Sequence, residues 1–192
     1  MTSLILASAS PQRRKLMKIL GVPFKVIPSR AQEITTITNN IVHLVKTNAL
    51  LKATEVASRV KSGLVIGSDT VVYSGKGRLI LKPKDLAVAK HNLKELMSQP
   101  HWVYSGIAVI DAASGKTMVE YDKTKVFMTS LSDKSIDVYH RKVSPLDKAG
   151  GFDIDGTGAL FIPRIEGCYY NVVGLPVAKL AAMLKKFNVK VI

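Results

Sequence analysis

A hairpin pattern in the middle of the chain constrains the fold most. The sequence predicts a strand over 102–110, a loop over 111–115 and a return strand to about residue 130. On both sides of this pair, apolar strand patterns alternate with helical patterns, which is typical of a sheet covered by helices. Antiparallel neighbours joined by a short loop exclude an all-parallel sheet. We therefore predict an α/β fold with a mixed, twisted sheet flanked by helices and two lobes around a cleft.

The remaining elements are predicted from hydrophobic periodicity and from Gly and Pro positions. In chain order they are strands over 4–7, 64–73, 79–81 and 159–165, and helices over 12–20, 39–60, 84–98, 132–141 and 176–187. Residues 147–158 are rich in Gly and Asp, which indicates a loop. Because no repeat, low-complexity tract or long linker divides the sequence, we predict one domain spanning residues 1–192.

The chain carries a net charge of +14, from 28 Lys and Arg against 14 Asp and Glu. Clustered positive charge would indicate nucleic-acid binding. The lysines are dispersed, however, and the sequence has no arginine-rich tract or zinc-knuckle spacing. We therefore expect no nucleic-acid partner, while the same charge suits a small polyphosphate.

No apolar run approaches the roughly 20 residues that span a bilayer. The N-terminus also lacks the basic segment and long apolar core of a secretory signal. The single cysteine, Cys168, cannot form a disulfide within the chain and is typical of a reducing compartment. We expect a cytoplasmic protein that does not contact a membrane.

The segment after the first predicted strand has the features of an anion site. Ser10 is a good N-cap, Pro11 suits the first helical position and Gly21 suits the helix stop. Such a turn directs free backbone N–H groups, the hydroxyls of Ser8 and Ser10 and the guanidinium of Arg13 at one region, where phosphate is the commonest ligand. The alternative is an ordinary strand–helix corner with exposed arginines.

Asp69 is the sharpest single candidate for chemistry. It lies inside an apolar strand pattern, where a carboxylate is costly unless it is paired, hydrogen-bonded or bound to a metal. The alternative is an aspartate satisfied by local backbone N–H groups. If Asp69 is functional, Glu33 gains interest, since two carboxylates with water and substrate oxygens suffice for Mg²⁺ or Mn²⁺.

Several basic residues lie where they could reach a phosphate. Lys82 precedes Pro83 at a predicted strand end, Lys52 lies in the predicted helix 39–60, and Lys148 is followed by two glycines that permit close backbone approach. Residues 147–151 are therefore a candidate nucleotide-binding loop, although they do not match the Walker pattern. Solvated lysines are the alternative in so basic a chain.

In this order, the segments resemble the Maf family of nucleoside triphosphate pyrophosphatases. The matching residues are Leu4-Ile-Leu-Ala-Ser-Ala-Ser-Pro11 with Arg13, Glu33, Lys52-Ala53, Gly67-Ser-Asp-Thr-Val-Val72, Lys82-Pro83, Asp147-Lys-Ala-Gly-Gly151 and Tyr169-Tyr-Asn-Val-Val-Gly-Leu-Pro176. The resemblance covers residues 4 to about 187. It implies a mixed-sheet fold with a deep central cleft, related to that of inosine triphosphate pyrophosphatases and often assembled as a homodimer.

The resemblance also implies hydrolysis of a nucleoside triphosphate to a monophosphate and pyrophosphate, with Asp69 as the proton acceptor. Glu33 and Asp69 would hold Mg²⁺ or Mn²⁺. The phosphates would be held by Arg13, Lys52, Lys82 and Lys148 together with Ser8 and Ser10. The alternative function is a regulator of septum formation without catalysis, or a nucleic-acid-binding protein.

The base preference is left open by three positions that select the base in the family. The branch directed at dTTP and UTP has Arg, Thr and Gln there, and the branch directed at 7-methyl-GTP has Trp, Gln and Glu. This chain has Gln12, Thr70 and Asp155, which match neither set. A carboxylate at 155 favours a base edge that offers donors. Ser144 and Cys168 also replace the Glu and Asp often found in the family.

Overall fold

The computed structural model describes residues 3–35 and 40–191. Its strands are β1 (Leu4–Leu6), β2 (Phe24–Val26), β3 (Leu64–Tyr73), β4 (Leu79–Ile80), β5 (His101–Asp111), β6 (Thr117–Phe127) and β7 (Arg164–Glu166). Its α-helices are α1 (Pro11–Lys18), α2 (Ile41–Ala57), α3 (Leu86–Ser98), α4 (Asp133–Lys142), α5 (Tyr169–Val173) and α6 (Val177–Lys185). Within this part of the chain, no helix is both long enough and apolar enough to cross a membrane.

The strands form one mixed sheet. Its order is β2-β1-β3-β5-β6-β7, and β4 pairs with β3 outside this path. β1 runs parallel to β2 and β3, while β4 is antiparallel to β3 and β7 is antiparallel to β6. β5 and β6 are neighbours joined by a five-residue turn, closed by a bond from the Gly115 N–H to the Asp111 carbonyl. The predicted mixed sheet with a central hairpin is confirmed.

The chain divides into two compact units, and each is discontinuous in sequence. The first comprises Met1–Thr70, Ser105–Asp122 and Gly174–Ile192, and the second comprises Val71–Tyr104 and Lys123–Val173. Strands β3, β5 and β6 each contribute residues to both units. The single domain over 1–192 and the cleft stay predictions.

Each unit has its own apolar core. In the first, small and β-branched side chains of α2 pack against β1, β3 and β5. The buried residues are Ile5, Ala7, Ala49, Ala53, Val56, Val65, Ala108 and Ile110. In the second, α3 and α4 pack with strand residues and with Phe152, Ile154, Phe161 and Ile162.

Two glycines let α2 lie directly on the sheet in the first unit. A Cβ at Gly67 of β3 would collide with the Ala49 carbonyl and the Ala53 amide, and a Cβ at Gly106 of β5 would collide with the Val45 carbonyl. The backbone of α2 therefore lies as close to these strands as backbone contact allows. This approach places the middle of the helix beside Ser68 and Asp69, the next residues of β3.

The predicted strand over 159–165 is wrong at its start. Residues 157–160 form a 3-10 turn, and the strand covers only Arg164–Glu166. The turn forms because the Asp153 carboxylate accepts a hydrogen bond from the Gly158 N–H at 3.0 Å, which holds the backbone curled. Pro163 then precedes the strand. The short strand β2 and the five-residue helix α5 were not predicted.

A buried histidine in the second unit predicts sensitivity to acid. Burial lowers the pKa of His101 from 6.5 to about 4, against a smaller opposite effect of the Leu96 backbone. Between these values the unfolded chain binds a proton that the folded chain excludes. We expect the free energy of unfolding to fall by about 3 kcal/mol from this group as the pH drops through that window.

Urea unfolding at pH 7 and at about pH 4.5 measures this loss, and the His101→Gln variant serves as the comparison. Since glutamine does not titrate, the difference between variant and wild type isolates the histidine. Equal losses in the two proteins contradict the prediction.

Candidate active site

The strand–turn–helix at the start of the chain forms as predicted. Helix α1 begins at Pro11, and the Ser10 hydroxyl caps it by accepting from the Arg13 N–H at 3.4 Å. The Ser8 hydroxyl accepts from the Ser10 N–H at 3.2 Å. Ser10 also donates to the Gln12 side-chain oxygen at 3.4 Å. The two predicted hydroxyls therefore lie at the N-terminus of α1, where the partial positive charge of the helix favours an anion.

The guanidinium of Arg13 is held by three neutral acceptors. Its Nε donates to the Gly174 carbonyl at 2.9 Å, one terminal nitrogen donates to the Thr70 hydroxyl at 2.9 Å, and the other donates to the Ser8 hydroxyl at 3.4 Å. Burial lowers the pKa of Arg13, and the negative charges of Asp69 and Glu33 oppose the shift. The group stays charged, since an arginine does not deprotonate in proteins. Within residues 3–35 and 40–191, no carboxylate forms an ion pair with this guanidinium.

Thr70 is part of this support. Its hydroxyl accepts from Arg13, lies 2.8 Å from the Ser105 hydroxyl and donates to the Gly174 carbonyl at 3.3 Å. Ser68 donates to the same carbonyl at 3.3 Å. The carbonyl of Gly174, a residue of the motif 169–176, therefore accepts hydrogen bonds from three side chains. Nothing local in the sequence near Gly174 or Ser105 indicates this role.

Lys52 joins the two predicted carboxylates. Its ammonium lies 2.7 Å from Asp69 Oδ1 and 2.8 Å from Glu33 Oε1. A third, longer bond of 3.4 Å reaches the Ser68 carbonyl. Lys52 and Asp69 are buried, whereas the Glu33 side chain is 51% exposed. Glu33 and Asp69 were predicted as a metal-holding pair and Lys52 as a phosphate-binding residue. The structure places Lys52 in direct contact with both carboxylates.

Asn48 completes the cluster and was missed. Its side-chain amide donates to Asp69 Oδ2 at 3.1 Å. The only available sequence signal was its position on α2, one turn before Lys52, which places both side chains on the same helix face. The other buried residues of this helix are apolar, among them Leu44, Val45 and Val56, so a single amide beside them does not mark a site in the sequence.

The carboxylate pair fits a divalent cation. Both side chains offer oxygen, and both reach the same ammonium, so their oxygens converge on one cationic point. Mg²⁺ and Mn²⁺ are held in this way, by one or two carboxylates with water and substrate phosphate. In the described ranges, no group of three His, Cys, Asp or Glu residues could hold a metal by itself.

The remaining predicted residues lie in the second unit. Lys82 is exposed just after β4. Lys148 lies 2.8 Å from the Asp147 carboxylate and donates to the Ser144 carbonyl at 3.1 Å. Asp155 is exposed, and its loop is held by the Tyr139 hydroxyl, which donates to Asp153 at 2.6 Å. Burial and the neighbouring Asp153 raise the pKa of Tyr139, so this hydroxyl stays a donor.

Known proteins match this chain over nearly its whole length. A family model described as "Maf-like protein" matches residues 3–187. The chain is 43% identical over 192 residues to a dTTP/UTP pyrophosphatase of Pelotomaculum thermopropionicum, covering 100% of both proteins. It is 40% identical over 191 residues to a dTTP/UTP pyrophosphatase of Bacillus anthracis, covering 100% of this chain and 98% of that protein.

A solved structure shares the fold. A HAM1 protein from Coxiella burnetii superposes with a TM-score of 0.56 at 14% identity, covering 97% of this chain and 100% of that one. At this identity the likeness concerns the fold alone. The match of the family model over nearly the whole chain, together with relatives at 40% identity or more, establishes membership. The chain belongs to the Maf family.

Proposed function

We propose that this protein is a nucleoside triphosphate pyrophosphatase that hydrolyses dTTP and UTP to the monophosphate and pyrophosphate. The observation that carries the proposal is the contact of Glu33, Lys52 and Asp69 in the unit that also holds the Arg13 guanidinium. Two carboxylates and two cations are the groups that phosphoanhydride hydrolysis needs, since its catalysis consists mainly of positioning and charge stabilisation.

The N-terminus of α1 and Arg13 are proposed to bind the phosphates. The neutral acceptors fix the guanidinium plane without cancelling its charge. Three of its five N–H groups are used in this way, which leaves two for phosphate oxygens. The Ser8 and Ser10 hydroxyls lie beside the same helix start.

Glu33 and Asp69 are proposed to hold Mg²⁺ or Mn²⁺. Such an ion, when bound, supplies charge stabilisation at the α-phosphate and acidifies a coordinated water. Asp69 is the proposed proton acceptor, because its carboxylate is buried and each oxygen keeps a lone pair beyond its bond to Lys52 or Asn48. Lys52 offsets the repulsion between the two carboxylates and so keeps them together.

Lys82, Lys148 and Asp155 keep their proposed roles in phosphate binding and base selection. Lys82 is exposed, and Lys148 bonds to Asp147 and Ser144 in its own unit. As in the family resemblance, a homodimer is also proposed.

The preference for dTTP and UTP rests on the names of the relatives. Neither of these names supports 7-methyl-GTP, so that branch is not proposed. Asp155 is compatible with a pyrimidine, since a carboxylate can accept from the N3–H of thymine or uracil. Thr70 already has three hydrogen-bond partners, and we propose that it acts mainly by holding Arg13.

A pyrophosphate-release assay over a panel of triphosphates tests the function. With Mg²⁺ or Mn²⁺ we expect release from dTTP and UTP to exceed release from 7-methyl-GTP, dGTP and dATP, and we expect a chelator to abolish it reversibly. Absence of release from every triphosphate, together with salt-sensitive RNA or DNA binding, would support the non-catalytic alternative. Preferred hydrolysis of 7-methyl-GTP would refute the base preference alone.

A further inference from the structure

Asn48 connects the two segments that carry the carboxylates. It is 2% exposed, and both the oxygen and the nitrogen of its amide have hydrogen-bond partners. The amide oxygen accepts from the Ile34 N–H at 2.8 Å, and the amide nitrogen donates to the Ile34 carbonyl at 2.9 Å and to Asp69 Oδ2 at 3.1 Å. One side chain thus bonds both to the backbone next to Glu33 and to the carboxylate of Asp69.

These bonds matter because few other contacts hold the Glu33 side chain in place. Its side chain is 51% exposed, and the contact that holds it is the ion pair with Lys52. An exposed ion pair fixes a geometry weakly, since solvent screens it and the side chain loses entropy. The paired bonds to Ile34 instead fix the backbone of the adjacent residue, as a β-ladder would.

A second tether lies farther from the carboxylates. The Arg30 N–H donates to Glu55 at 3.0 Å, which attaches the same segment near the end of α2. Three residues separate Arg30 from Ile34, so this tether alone does not fix the backbone beside Glu33. The bonds of Asn48 therefore fix the position of the Glu33 backbone relative to the Asp69 carboxylate.

Asn92 shows what a buried amide does when it only fulfils its own need for hydrogen bonds. Asn92 on α3 is also buried, at 4% exposure, and accepts from the Arg78 guanidinium at 3.1 Å. Its partner belongs to an exposed ion pair with Glu95. Asn92 contacts no residue assigned to catalysis, whereas Asn48 contacts Asp69 directly and Glu33 through the adjacent peptide.

We propose that Asn48 is a positioning residue that sets the placement of Glu33 against Asp69, and thereby the affinity of the pair for a divalent cation. The inference rests on the proposed function, in which this pair holds the metal. Partners that orient metal ligands typically contribute 10- to 100-fold to metal affinity or activity.

The test measures Mn²⁺ binding to the Asn48→Leu variant by electron paramagnetic resonance, without substrate. We expect the dissociation constant to rise by about 10- to 100-fold and kcat for dTTP to fall, with little change in KM, because Arg13 and the start of α1 are untouched. The matched control, Asn92→Leu, removes an equally buried amide and should leave the Mn²⁺ affinity at the wild-type value. Wild-type affinity and kcat in a folded Asn48→Leu variant would overturn the proposal.

Ile34→Pro provides a second route if Asn48→Leu fails to fold. It removes the N–H that Asn48 accepts from, at a residue that is 38% exposed, so the core is left intact. We expect weaker Mn²⁺ binding here too, and unchanged binding counts against the proposal. If the wild type releases no pyrophosphate but the variants still lose Mn²⁺ affinity, the proposed function fails while the positioning role stands.

Discussion

Replacement of Asp69 by asparagine is expected to lower kcat for pyrophosphate release by about 10³- to 10⁴-fold. The variant removes the proposed proton acceptor and one of the two carboxylates of the metal pair. It also turns an acceptor into a donor where Asn48 and Lys52 both donate, at 3.1 and 2.7 Å. One of these donors must then face the new N–H₂ group. The resulting repulsion displaces Lys52 or Asn48, and with it Glu33, the remaining carboxylate of the pair.

The control for this variant is Asp111→Asn. Asp111 ends β5 and accepts from the Ala113 N–H and the Ser114 hydroxyl in an exposed turn of the same unit. Its replacement should leave turnover at the wild-type level. Circular dichroism and thermal unfolding establish that the Asp69→Asn protein is folded. A folded variant that keeps more than about a tenth of wild-type kcat excludes Asp69 as the general base.

The second large effect is expected at Arg13. Arg13→Ala should lower kcat/KM by about 10²- to 10³-fold, as is typical for the loss of one preorganised donor to a developing charge. It also leaves the Gly174 carbonyl without its 2.9 Å partner and frees the Thr70 hydroxyl. Steady-state kinetics with dTTP and Mg²⁺ measure the loss.

Two further variants give this prediction its specificity. Arg13→Lys keeps the charge but cannot reach Gly174, Thr70 and Ser8 together, so most of the loss should remain. Arg14→Ala removes the exposed neighbouring guanidinium, and we expect wild-type kinetics. Equal losses in Arg13→Ala and Arg14→Ala would mean that the basic surface acts by general attraction alone.

Local chemistry made much of the fold predictable. Ser10, Pro11 and Gly21 mark a helix through short-range capping, and the structure has α1 between them, with Gly21 at a positive φ of 67°. The apolar run at 64–73 coincides with β3. The strand expected at 159–165 failed because a side chain five residues away, Asp153, captures the Gly158 N–H.

The site was predictable only in part, for the same reason. Asp69 stands out individually, because a carboxylate inside an apolar strand is costly to bury. Glu33 and Lys52 gain interest only beside it, since a loop carboxylate and a lysine in a basic chain are usually solvated. Their partners do not stand out. Ser105 and Gly174 act through contacts more than 30 and 100 residues away in sequence from Thr70, and no periodic pattern encodes such contacts.

Replacing Gly67 to stabilise the protein would also alter the candidate active site. Glycine-to-alanine replacement is a common route to higher stability, because it restricts the unfolded chain. Here the added methyl group would meet the Ala49 carbonyl and the Ala53 amide, and α2 would have to rise from the sheet. Asn48 and Lys52 would rise with it, away from Asp69. The distance between α2 and the sheet thus sets the spacing of the catalytic groups. A sequence library that varies Gly67 therefore tests activity as well as stability.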